Sequence, residues 1–107
     1  MTRQLTVQEL ETWQVQPERR ATIVDVREPW EIQICAISGS RHIPMRQIPA
    51  SLAELPKGDE IVVLCHHGQR SQQVADFLTR QGYVNVYSLV GGIDAWAREI
   101  DSTMTRY

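Results

Sequence analysis

Apolar positions in this chain follow two spacings, and they alternate. Residues 61–64 are a short continuous apolar run and residues 22–26 a β-branched run broken only by Asp25, the habit of strands buried on both faces in a parallel sheet. Residues 84–87 read as a further strand, and Gln4 and Leu5 as a short edge strand. Between these runs the spacing becomes helical. Thr6 and Glu9 have capping-box spacing, and Leu5 and Leu10 are placed for a hydrophobic staple, so a helix opens at Thr6 and ends near 13–15, before Pro17. Pro29 suits the first turn of a second helix, where Glu31 complements the dipole; it carries Trp30, Ile34 and Cys35 and stops before Gly39. Residues 48–55 predict a short helix, with Pro49 in its first turn. Residues 56–59 predict a turn.

After Cys65 the pattern turns helical again. Val74, Phe77 and Leu78 fall on one face, Arg80 sits in the last turn and Gly82 just beyond it. Gly91 and Gly92 allow a close turn into a last helix carrying Ile93, Trp96 and Ala97. Residues 101–107 form a polar tail expected to fray. Buried strands separated by helices predict an α/β fold with a parallel sheet and helices on both faces.

Composition narrows this little. The 107 residues suffice for one domain and one core; 42% are hydrophobic and 22% charged, as in ordinary globular proteins. The net charge of −2 offers no basic face for nucleic acid. No apolar run reaches membrane-spanning length, and residues 1–5 lack the apolar core of a signal peptide, so a cytoplasmic location is expected. The two cysteines, Cys35 and Cys65, make no disulfide framework and suit a reducing compartment. Three histidines and two cysteines without zinc-finger spacing predict no metal site, and His42 is expected in a structural hydrogen bond.

The chemistry concentrates where the 61–64 strand runs into Cys65-His66-His67-Gly68-Gln69-Arg70-Ser71. Ligands of open α/β sheets bind beyond the carboxyl ends of strands. A helix N-terminus there offers unpaired N–H groups, and the successive N–H groups of a tight loop form an anion nest. A cysteine in that place is favoured as its thiolate, the nucleophilic form. Asp25 and Arg27, near the end of the second strand, are candidates for the rim of the site; a structural salt bridge is the reading we favour for them.

This stretch resembles the rhodanese family of sulfurtransferases, whose active-site loop begins with the catalytic cysteine and has six residues, as Cys65 to Arg70 would. Ile23-Val24-Asp25-Val26-Arg27-Glu28-Pro29-Trp30-Glu31 is similar to the family's first signature. Gly39-Ser40-Arg41-His42-Ile43-Pro44 is similar to its continuation, and Gly91-Gly92-Ile93-Asp94-Ala95-Trp96 to its closing segment. The resemblance implies a single rhodanese domain over 1–107, a three-layer fold with five parallel strands in the order 1-5-4-2-3, and the Cys65 strand at the centre. It also implies transfer of a sulfane sulfur from a small donor, thiosulfate or a persulfide, through a Cys65 persulfide to cyanide, a thiol or a protein. His66, His67, Gly68, Gln69, Arg70 and Ser71 would form the binding loop, with Arg70 meeting the donor's sulfonate; no cofactor is needed. Two other classes stay open: a cysteine-dependent phosphatase or arsenate reductase, whose loop is one residue longer, and a non-catalytic rhodanese-like binding module.

Overall fold

The computed structural model describes residues 3–107; Met1 and Thr2, part of the segment read for a signal peptide, lie outside the described residues. Five strands form one sheet: β1 (Arg3–Leu5), β2 (Thr22–Asp25), β3 (Arg41–His42), β4 (Ile61–Leu64) and β5 (Val86–Leu89). Their order is β1-β5-β4-β2-β3, and every pairing is parallel. This is the order expected. β4 is fully buried, as its unbroken Ile-Val-Val-Leu run requires.

Alternation along β4 builds two cores. Ile61, Val63 and Cys65 face one side, with Val74, Ala75 and Leu78 of helix α3 (Gln69–Arg80) and with Ile48 and Leu55. Val62 and Leu64 face the other, with Leu10 of α1 (Val7–Gln14) and with Ile93 and Trp96 of α4 (Gly92–Glu99). The α1 capping box forms: Glu9 N–H donates to Thr6 Oγ1 at 3.1 Å, and Thr6 N–H to the Glu9 carboxylate at 2.9 Å. Leu5 and Leu10 are both buried, as the staple spacing predicts.

Three elements differ from expectation. The segment 48–55 is not an α-helix: Met45–Gln47 and Pro49–Glu54 are 3₁₀ turns, with Ser51 N–H donating to Ile48 O and Leu55 N–H to Leu52 O. Proline at 49 removes one donor, and the run is too short to propagate α geometry. β5 lies two residues later than predicted. Val84 is exposed, and Ser88, which disguises the strand in the sequence, is buried within it. Helix α2 (Pro29–Ile34) is a turn and a half, with Cys35 already extended beyond it. Among the described residues, no helix is long and apolar enough to cross a membrane.

Candidate active site

β4 carries Cys65 to the carboxyl end of the central strand, where its side chain is buried at the floor of the following loop. Gly68 makes the loop possible. Its φ of +114° is a value only glycine adopts without strain, and it aims the Gly68 N–H at Cys65 Sγ, 3.1 Å away. Ser71 N–H, in the first turn of α3, points at the same sulfur from 3.3 Å. The Ser71 hydroxyl lies 3.6 Å from it and is linked to Ser88 on β5 at 2.9 Å. Two backbone donors thus converge on one sulfur atom at a helix N-terminus, which stabilises negative charge there, while the Ser71 hydroxyl accepts from the Cys65 thiol and donates to Gly68 O at 3.1 Å.

The loop is held from behind by α4. Ile93 N–H donates to Cys65 O at 2.9 Å and Asp94 N–H to His66 O at 3.1 Å. Gly92 permits this approach: a Cβ there would lie 2.5 Å from both the Cys65 and His66 carbonyl oxygens. Close approach of backbone, together with a φ of +59°, is the reason for this glycine.

The charged residues nearby are paired. Arg70 donates through both terminal nitrogens to Glu31 of α2, at 2.7 and 2.9 Å. The expectation that its guanidinium meets a donor sulfonate therefore finds it already occupied by a carboxylate. Glu31 is buried and also accepts from Glu28 N–H at 3.0 Å and the Tyr107 hydroxyl at 2.7 Å. The Arg70 hydrogen bonds hold its carboxyl down at about 2. Asp25 and Arg27 do not form a solvent-facing rim. Both are fully buried and paired at 2.7 Å, the salt-bridge alternative. Arg27 further donates to Cys35 O at 2.7 Å and to the Tyr107 hydroxyl at 2.9 Å. His42 Nε2 lies 2.6 Å from Arg27 O, the structural role expected of it.

The His66 and His67 rings meet at a tilt of 30°, with centroids 3.9 Å apart. Burial, and then His67, push the His66 pKa below its ordinary value, so this imidazole is neutral near pH 7. His66, His67 and Asp94 bring possible ligand atoms within 4.8 Å of one another. The Asp94 oxygens, however, are engaged by Arg98 and Arg106 at 3.1 Å each, which commits that carboxylate to ion pairs. Gln69 opens α3 on the outer side of the loop.

The comparisons with known proteins decide the family. A model of the rhodanese-like domain matches residues 6–99. The chain belongs to the rhodanese-like family. A sulfurtransferase of Allochromatium vinosum is 43% identical over 76 residues, covering 71% of each chain. The thiosulfate sulfurtransferase GlpE of Pseudomonas aeruginosa is 39% identical over 79 residues, 74% of this chain and 72% of its own. Among solved structures, a rhodanese-related protein of Thermoplasma volcanium superposes with a TM-score of 0.82 at 30% identity, covering 92% of this chain and 93% of that one. A rhodanese-like protein of Staphylococcus aureus reaches 0.85 at 27% identity over 99% of both chains.

Within this rhodanese-like domain two residues of the site escaped the sequence reading. Glu31 looked like a helix-dipole residue, and Tyr107 like part of a fraying tail. The spacing of Glu28 and Glu31 at a helix start was a usable sign that Glu31 turns inward. Nothing in residues 101–107 announced that Tyr107 packs on the loop.

Proposed function

We propose that this rhodanese-like domain moves a sulfane sulfur from a donor such as thiosulfate to a thiophilic acceptor through a persulfide on Cys65. The observation that carries the reading is the convergence of the Gly68 and Ser71 N–H groups on Cys65 Sγ at the N-terminus of α3. In the first half-reaction the Cys65 thiolate attacks the outer sulfur of thiosulfate. A new S–S bond forms, the sulfur–sulfur bond of the donor breaks, and sulfite leaves with the electron pair. Cyanide or a thiolate acceptor then attacks the outer sulfur of the persulfide, and the Cys65 thiolate is regenerated. The Gly68 and Ser71 N–H groups would stabilise the thiolate, and the backbone N–H groups of the 66–71 loop would cradle the outer sulfur of the persulfide anion, a preorganised stabilisation.

Arg70 is paired with Glu31, Arg27 with Asp25, and Arg98 and Arg106 with Asp94. A donor's negative charge is therefore met chiefly by backbone N–H dipoles, with Arg70 serving to hold the loop. The acceptor would be cyanide, a small thiol or a protein. The soluble domain would work without a cofactor, in the cytoplasm.

Steady-state turnover of thiosulfate with cyanide, followed as thiocyanate, tests the proposal. The wild-type protein should turn over and Cys65→Ser should not. Equal turnover by Cys65→Ser would remove Cys65 from the reaction.

A further inference from the structure

Tyr107 touches three parts of the site at once. Its ring lies flat on His66, centroids 3.8 Å apart and planes 4° from parallel. Its hydroxyl donates to Glu31 Oε2 at 2.7 Å and accepts from Arg27 Nη1 at 2.9 Å. The acceptance from Arg27 leaves the hydroxyl proton directed at Glu31. Burial, and then Glu31, keep that hydroxyl protonated, with its pKa pushed up to about 12. It therefore remains a donor wherever the protein is folded. Arg106 anchors the same segment to α4 through Asp94 at 3.1 Å, and Met104 packs with Tyr107 against the core on that side of the sheet. The crevice between this segment and His66, Asp94 and Ala97 is too narrow for a water molecule.

The two N–H groups that face Cys65 Sγ belong to Gly68 and Ser71. His66 leads into the first of them, and Arg70 immediately precedes the second. Tyr107 holds both flanks, His66 by stacking and Arg70 through the Glu31 carboxylate it orients. A residue that merely filled space would need no hydrogen bonds into this ion cluster. We propose that Tyr107 is a positioning residue for the Cys65 loop, clamping its two ends so that the Gly68 and Ser71 N–H groups stay aimed at the reacting sulfur. The clamp rests on the sulfur-transfer reading for its purpose, but its effect on the thiol is independent of any donor.

Tyr107→Phe keeps the ring and removes the hydroxyl; Tyr107→Leu removes the stack as well. Two readouts are taken on each: steady-state turnover of thiosulfate, and the rate at which iodoacetamide labels Cys65, followed by peptide mass. With the clamp, Tyr107→Phe lowers kcat and the labelling rate about three- to tenfold and leaves KM within about twofold; Tyr107→Leu lowers both rates further. Labelling that accelerates would make Tyr107 a cover, and unchanged labelling and kcat would make it packing alone; either result overturns the proposal. If Tyr107→Phe does not fold, Glu31→Gln, which puts a carboxamide of the same shape in place of the carboxylate and weakens its hold on Arg70, is read in the same way. Wild-type protein that labels at Cys65 but moves no sulfur would defeat the sulfur-transfer reading while the labelling series still decides the clamp.

Discussion

Arg70→Ala should cost stability first and donor binding second. Glu31 is 3% exposed and accepts four hydrogen bonds, two of them from Arg70. Breaking a buried pair by removing one partner costs about 3–5 kcal/mol. The Arg70 side chain is 33% exposed, so water screens part of that, and Glu28 N–H and Tyr107 still serve the carboxylate. A loss of about 2 kcal/mol results, which for a domain of this size lowers Tm by about 10 °C. The pH dependence identifies the cause. Glu31 is held at about 2 when folded, against an ordinary 4.5. A carboxyl depressed by folding contributes stability that is complete above its unfolded pKa and lost as pH falls through its folded one. The deficit of the variant should therefore be full at neutral pH and shrink as pH falls from about 4.5 toward 2. Urea unfolding at a series of pH values measures both. Because Arg70 holds the loop, turnover should fall about equally for thiosulfate and for an uncharged donor. A variant as stable as wild type, with a loss confined to thiosulfate, would refute the pairing argument and return Arg70 to direct anion binding.

Other substitutions probe the remaining supports. Gly92→Ala places a Cβ 2.5 Å from two carbonyl oxygens at a φ of +59°, and should destabilise the protein by about 3 kcal/mol or more in denaturant titration while abolishing turnover; a folded, active variant would mean the loop can retreat from α4. Cys35→Ser should keep most turnover, since Cys35 Sγ accepts from Arg27 Nη1 at 3.9 Å and packs against the core on the face of the sheet opposite to that of Cys65; single-turnover sulfur passing through Cys35 would contradict this. The loop leaves only His66-His67-Gly68-Gln69 between Cys65 and Arg70, so hydrolysis of an aryl phosphate should be negligible; efficient Cys65-dependent hydrolysis would favour the phosphatase alternative.

The sheet was legible because β4 is an uninterrupted apolar run, β2 is β-branched up to Asp25, and the helices of the chain carry capping residues and glycine stops. Strand β5 was misplaced by two residues because Ser88 breaks its apolar run: it is buried for its hydrogen bond to Ser71, which no spacing rule reveals. At the site, Cys65, Gly68 and the helix start follow from local pattern. The partnership of Arg70 with Glu31 and Tyr107 joins three segments far apart in sequence, so it exists only once the chain has folded. For the same reason Asp25 and Arg27 could be read as rim or as a buried pair until β2 and its neighbours fixed their burial.

The central claim is a sulfur atom carried on Cys65. Intact-mass measurement of the protein after incubation with thiosulfate and removal of the donor tests it most directly. The account predicts a gain of about one sulfur atom, reversed by a thiol reductant or cyanide and absent from Cys65→Ser. An unchanged wild-type mass, or an adduct that survives in Cys65→Ser, would contradict it.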